Sequence, residues 1–320
     1  MKFENNVNFL KKSLQSNLMC DNIIHSILNY ILWFCGNEVG IAMDYKIIVD
    51  SCGEFTEQMK QNPCFESVAL TLEVGGVSVV DDQTFDQAAF LRMVRECPDC
   101  PKSSCPSPDA YVQSYTSEAK RIYVVTLSAE LSGSYNSAVL AKNLYLEEHQ
   151  GQQIHVFNSC SASVGETNIA LKIQECEEQG MDFEQVVRTV EDYIEHKRTY
   201  FVLETLETLR KNGRLTGIKA VVASVLNIKP VMGADRGTII QLDQARGMNK
   251  ALAKMADYII REVKEPEKKR LAISHCNCPE RAKQIREDLL KRAKFRDIII
   301  LNTAGVSTMY ANDGGVIVSV

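Results

Sequence analysis

Thr126-Leu-Ser-Ala-Glu-Leu-Ser-Gly-Ser-Tyr135 follows the β-branched run Ile122-Tyr-Val-Val-Thr126 and leads into a segment carrying Ala138, Leu140, Ala141 and Leu144. That order predicts a strand, a loop of small residues and a helix over 132–147. A loop in this position turns backbone N–H groups and hydroxyls toward the positive end of a helix, the surroundings an anion prefers. Two more serine-rich loops accompany it, Lys102-Ser-Ser-Cys-Pro-Ser-Pro108 and Asn158-Ser-Cys-Ser-Ala-Ser-Val-Gly165. Together they predict a pocket for a small, negatively charged head group.

Outward from this loop, short apolar runs alternate with helical patterns. Lys46-Ile-Ile-Val-Asp50 reads as a buried parallel strand, because it is continuously apolar up to Asp50. Leu70–Val74 and Val77–Val80, joined by Gly75-Gly76, read as a hairpin. Helices are expected near Phe85–Arg95, Asp109–Ser117 and 164–177, and strands at 122–126 and 153–157. Beyond residue 198 come the strand Tyr200–Leu203, a short helix ending at Asn212-Gly213, a hairpin about Asp235-Arg-Gly237 and a helix over 249–263. The strands Arg270–His275, 297–301 and Gly315–Val320 follow, with a helix opened by Pro279 as a first-turn proline. The pattern predicts an α/β protein of two α/β domains, 43–197 and 198–320. The first sheet is expected to be mostly parallel and the second mixed. Residues 1–42 form an N-terminal extension whose apolar patch, Ile23–Phe34, is shorter than the ~20 residues that span a bilayer. It is expected either as an amphipathic helix docked on the body or a partner, or as sequence upstream of a start at Met43.

Composition narrows the function. The 320 residues carry a net charge of −5 and show no basic stripe, so a general nucleic-acid binder is not expected. The 11 cysteines are scattered, and no secretory signal pattern is present, so they read as reduced thiols of a cytoplasmic protein. Cys97, Cys100 and Cys105 have ligand-like spacing, but no histidine lies nearby as a fourth zinc ligand, and they read as loop cysteines. No phosphate loop, His-Glu-x-x-His motif or nucleophile elbow occurs. Asp50 has no carboxylate at a pairing distance in sequence and reads as a turn-stabilising residue rather than a catalytic acid.

Several segments resemble the DegV family of bacterial lipid-binding proteins. They are Ile48-Val-Asp-Ser51, Ser103-Ser-Cys-Pro-Ser107, Leu127–Tyr135, Asn158–Ser163, Thr208-Leu-Arg-Lys-Asn-Gly-Arg-Leu215, Leu226-Asn-Ile-Lys-Pro230, Ile273-Ser-His275 and Asn312-Asp-Gly-Gly315. They follow the family order across 43–320 and leave out 1–42. The resemblance implies one long-chain fatty acid held between two domains, no cofactor, and in some members presentation of the carboxylate to the catalytic subunit of a fatty-acid kinase. It implies a lipid-binding protein rather than an enzyme, with transient contact at a membrane surface and no transmembrane segment. The chain departs from the family at Asp50-Ser-Cys52, where Asp-Ser-Thr is common. It departs again at Ser103-Ser-Cys105, for Thr-Ser-Gln, and at the loop Asn302–Tyr310, for a His-Thr-Gly-Pro-Gly type.

On this reading Ser103 and Ser132 supply head-group hydroxyls, and Gly133 brings its backbone N–H close. Neutral donors satisfy a carboxylate without the desolvation cost of a fully buried ion pair. Ser132 serves equally as a helix cap, since capping and anion binding share one geometry. Secondary candidates are Ser104, Ser128 and Ser161, with Ser159 and Ser163 beside them. Arg214 resembles a family Gly-Gly-Arg turn, and His275 ends a strand, where open α/β sheets place ligands. Arg214 or His275 would balance charge on a phosphorylated head. The rival reading is a phosphotransfer or hydrolase enzyme using Asp50 or Ser132 directly.

Overall fold

The computed structural model describes residues 44–215 and 227–320. The expectations for residues 1–42 and for Leu226 lie outside the described residues. In chain order the elements begin β1 (Tyr45–Asp50), α1 (Glu57–Gln61), β2 (Phe65–Val68), β3 (Thr71–Val74), β4 (Val77–Val80), α2 (Gln87–Glu96), β5 (Lys102–Ser104) and α3 (Pro108–Tyr115). They continue with β6 (Arg121–Thr126), α4 (Ser134–Glu148), β7 (Gln153–Asn158), α5 (Val164–Glu178), α6 (Phe183–His196), β8 (Thr199–Val202) and α7 (Glu207–Lys211). The remainder is β9 (Ile228–Asp235), β10 (Thr238–Arg246), α8 (Met248–Glu262), β11 (Arg270–His275), α9 (Pro279–Leu290), β12 (Asp297–Asn302), α10 (Gly305–Ala311) and β13 (Val316–Ser319).

The first sheet has the order β2-β1-β6-β7 and is parallel throughout. Ile47, Ile48 and Val49 of β1 are fully buried because helices cover both faces, which is why the run is continuously apolar. On one face Tyr111 and Tyr115 of α3 pack with Ala138, Ala141 and Tyr145 of α4. On the other, Ile169 and Ile173 of α5 pack with Val186, Val190 and Ile194 of α6. A six-stranded mixed sheet, β10-β9-β8-β13-β11-β12, has only its β11–β12 pair parallel. It packs against α8 and α9 through Leu252, Met255, Ile259, Ile285 and Leu289. Helix α5 touches strands of both sheets, β1 and β6 of one and β11 and β13 of the other.

Five elements differ from the sequence expectation, one of them the five-residue helix α1, which has no counterpart there. Lys102–Ser104 is not loop but the edge strand β5, pairing antiparallel with β3 to extend the β3–β4 hairpin to three strands. It lies between Pro101 and Pro106, and that short span masks its strand character. Strand β2, only four residues long, follows the first helix and pairs with β1. The stretch 302–310, read as loop, contains α10, whose small residues Gly305, Ser307 and Thr308 give no amphipathic signature because the helix is buried nearly all round. Helix α6 was unanticipated although its signals are present. Asp182 and Gln185 form a capping box, each side chain meeting the other residue's backbone N–H, and Val186, Val190 and Ile194 recur every fourth residue.

Because α6 closes one face of the parallel sheet, its start matters to the whole domain. We expect Asp182→Ala to cost about 1 kcal/mol by urea denaturation with an unchanged slope. A change below experimental error would show that the box carries none of that stability.

Candidate functional site

The loops predicted to converge do so. A cavity of about 310 Å³ lies over the carboxyl end of the parallel sheet, with the mixed sheet as its other wall. That size belongs to ligand sites. Its apolar lining comes mainly from Leu127, Phe201, Leu203, Leu209, Ile239 and Val306, all buried. Its polar end is partly exposed and contains Ser103 and Ser104 of β5, Ser132 and Gly133, Arg214 and Tyr310. The cavity therefore combines buried apolar walls with partly exposed donors, and Ser161, Ser163, Thr199 and Ser307 add buried hydroxyls to its lining.

Each donor at that end has a local cause. Helix α4 begins two residues later than expected, at Ser134, with Gly133 as its N-cap. No side chain caps it. Instead Ser132 Oγ accepts the Ser134 N–H at 3.2 Å, and the Gly133 N–H donates to no group among the described residues. The start of this 15-residue helix thus presents an unspent N–H beside the Ser132 hydroxyl. Gly133 approaches closely: a Cβ there would stand 3.2 Å from Cys105 Sγ. Ser103 Oγ lies 3.2 Å from Tyr310 Oη. Burial raises the Tyr310 phenol, so it stays protonated and able to donate. Arg214 Nε donates to Leu131 O at 3.2 Å, and Nη1 donates to Asn212 O. Its guanidinium also sits over the Tyr310 ring, 5.9 Å from the centroid. Arg214 forms no ion pair among the described residues and is the one charged side chain lining the cavity there. Asn212 Nδ2 donates to Pro101 O at 3.0 Å, which fastens the Arg214 turn to the β5 segment.

The secondary candidates divide. Ser161 lines the cavity, its hydroxyl 2.7 Å from Thr199 Oγ1. Ser163 lines it too, and its hydroxyl donates to the Glu54 carboxylate at 2.8 and 2.9 Å. Ser128 and Ser159 do not line it. Ser128 Oγ donates to Gly237 O at 3.0 Å, and Ser159 Oγ to Ser161 O at 3.1 Å, so both brace loops. His275 is a correction. It is buried outside the cavity wall, where its Nδ1 accepts the Cys278 N–H at 3.3 Å ahead of α9, and burial lowers its pKa. Strand β11 ends there, but the chain turns the imidazole toward its own next helix. Tyr310 was missed because it is separated from Ser103 by 207 residues and no local pattern joins them.

Asp50 is not isolated, as the sequence suggested. It is fully buried, accepting the Leu127 N–H at 2.8 Å, the Cys52 N–H at 3.1 Å and the Ser134 hydroxyl at 2.5 Å. Glu54, Asp81 and Glu166 are buried in the same region. Burial raises all four carboxyls: Glu54 goes from 4.5 to about 7 and Asp81 from 3.8 to about 6, while Asp50 rises and Glu166 rises well above its usual value. The charge of Asp50 adds to the shift of Glu166. The two carboxyls are close enough to influence each other, yet neither Glu166 oxygen reaches a donor at hydrogen-bond distance among the described residues. Cys105 and Cys52 line the cavity, and Cys100 Sγ receives Asn212 Nδ2 at 3.5 Å. No group of three or more His, Cys, Asp or Glu side chains among the described residues is disposed to hold a metal ion.

A family model named DegV matches residues 44–320. The chain belongs to the DegV family. A DegV domain-containing protein of Streptococcus pneumoniae is 35% identical over 279 residues, 86% of this chain and 98% of that protein. A DegV family protein from Ruminococcus gnavus, solved with vaccenic acid, is 59% identical with a TM-score of 0.85, covering 87% of this chain and 100% of that one. The Streptococcus pneumoniae Fatty Acid Kinase (Fak) B3 protein, loaded with linoleic acid, is 34% identical with a TM-score of 0.79, covering 87% and 99%. The DegV match begins where the described structure begins.

The buried carboxyls give this DegV protein a definite pH dependence. A raised acid pKa means that the folded chain takes up a proton at a pH where the unfolded chain has already lost it. The associated stability is fully present below the unfolded value and disappears as pH rises through the folded one. For Glu54 that window runs from 4.5 to about 7. We expect the urea midpoint to fall as pH is raised across this window, and Glu54→Gln to flatten the decline. A midpoint that climbs over the same range, or an unaltered slope in the variant, contradicts the assignment.

Proposed function

We propose that this chain is a carrier for one long-chain fatty acid. The tail lies in the buried apolar cavity, and the carboxylate sits at the exposed end on Ser103, Ser132 and the Gly133 N–H, with Ser104, Tyr310 and Arg214 around it. The carrying observation is that one cavity combines buried Leu, Phe, Ile and Val side chains with partly exposed neutral donors and, among the described residues, a guanidinium that has no ion-pair partner. Each buried methylene contributes about 0.8 kcal/mol, so a long chain binds by its tail. The head group adds selectivity, because a carboxylate left without donors there costs several kcal/mol. Relatives solved with vaccenic and linoleic acids support the same ligand class here.

The partly exposed head suits presentation to a second protein, and the Fak B3 relative supports a kinase subunit that phosphorylates the carboxylate. The alternative, a hydrolase or phosphotransfer enzyme, finds little support. Neither a carboxylate nor an imidazole lines the cavity among the described residues, Asp50 is committed to the Leu127–Ser134 loop, and no base stands beside Ser132. Among the described residues no helix is long and apolar enough to cross a membrane, so access from a bilayer would be by surface contact.

Organic extracts of the freshly purified protein, analysed by mass spectrometry, should contain a stoichiometric long-chain fatty acid. Ser132→Ala should weaken binding of the free acid by about tenfold, the loss of one hydrogen bond to a charged group. Protein that carries no lipid and, once delipidated, shows no saturable binding of oleic acid ends this reading.

A further inference from the structure

Beside β5 stands α10, which contributes Val306, Ser307, Tyr310 and Ala311 to the cavity wall. This helix has only seven residues, and its N-cap Ala304 has no side chain able to cap it. A helix so short has little stability of its own and holds its place through outside contacts. The principal one is Asp81, on the loop following β4. Its Oδ1 accepts the Gly305 N–H at 2.7 Å, and its Oδ2 accepts the Val306 N–H at 2.8 Å and the Ser51 hydroxyl at 3.0 Å. The fit excludes any side chain at position 305, since a Cβ there would stand 2.6 Å from the Asp81 carboxyl carbon.

A second tie comes from Gln87, the first residue of α2. Its Nε2 donates to Thr303 O at 3.0 Å, Thr303 Oγ1 at 2.9 Å and Thr308 Oγ1 at 3.2 Å. Asp81 and Gln87 both flank the small sheet β4-β3-β5, which also carries Ser103. The contact between Ser103 Oγ and Tyr310 Oη therefore spans two separately supported pieces of chain, and Asp81 is the clamp that sets one against the other. At 3.2 Å that contact has little slack, because hydrogen bonds weaken steeply as donor and acceptor drift apart or misalign.

We propose that Asp81 is a positioning residue for head-group recognition: by gripping the first turn of α10 it holds the Tyr310 hydroxyl in register with Ser103, so that the two act on the carboxylate as one unit. This rests on the head-group reading above and extends it to a residue that does not line the cavity.

The test compares two ligands of equal chain length, a long-chain fatty acid and the corresponding primary alcohol, which fills the tail space but lacks the carboxylate. In Asp81→Asn an amide NH2 faces one of the two helix N–H groups. The preference for acid over alcohol should fall by about tenfold, with alcohol affinity held within about twofold. Gln87→Ala should move the ratio in the same direction by a smaller factor, and it serves as the working variant if Asp81→Asn does not fold. In a Tyr310→Phe background, adding Asp81→Asn should alter the ratio by less than about twofold, since contacts acting through one another are not additive. Equal losses for acid and alcohol, or a full further loss in the Tyr310→Phe background, overturn the proposal. If Tyr310→Phe and Ser103→Ala both leave the ratio untouched, the head-group assignment itself has failed and this inference falls with it. If they reduce it while Asp81→Asn and Gln87→Ala do not, only the role of Asp81 is lost.

Discussion

Buried carboxylates that accept backbone N–H groups and hydroxyls hold the site together. Asp50 fixes the Leu127–Ser134 loop, Glu54 fixes Ser163, and Asp81 fixes the start of α10. Burying an acid is unfavourable, and the upward pKa shifts record that cost. In return each acid organises several donors from distant parts of the chain. Loops rich in serine and glycine lack the side-chain bulk to pack themselves, so without such acceptors their conformations would be numerous. The donors facing the cavity are then free for a ligand, because the acids behind them have absorbed the neighbouring ones.

On the proposed reading, an anion is bound here with little formal charge. Among the described residues Arg214 is the single cation lining the polar end, and its guanidinium meets the Tyr310 ring and two backbone carbonyls rather than an acid. Around it stand neutral hydroxyls and the Gly133 N–H. Such a set can satisfy a carboxylate and, because no fixed ion pair has to be broken, leaves it able to react or depart. A guanidinium also tolerates an increase in negative charge at the head, which phosphorylation would bring.

Much of the fold was legible from local pattern. The continuous apolar runs at β1 and β6 marked a parallel sheet, and the serine-rich composition of three segments marked Ser103, Ser132 and Gly133, which line one cavity. Elements were missed for different reasons. Strand β5 is three residues long between prolines, and α10 is buried on nearly every side, so neither shows a period. Helix α6 does carry local signals, a capping box and the every-fourth-residue set Val186, Val190 and Ile194. In the site, Tyr310, Asp81 and Glu166 were invisible to spacing arguments because their partners come from remote segments. His275 misled because the end of a strand is a good place for a ligand residue, yet a following helix start can claim the same side chain.

The separation of Ser103 from Tyr310 by 207 residues has a consequence for biogenesis. The first member of this proposed pair is made 207 residues before the second. β13, which lies between β8 and β11 in the mixed sheet, is later still. Until Tyr310 and β13 have been made, the cavity has only part of its wall.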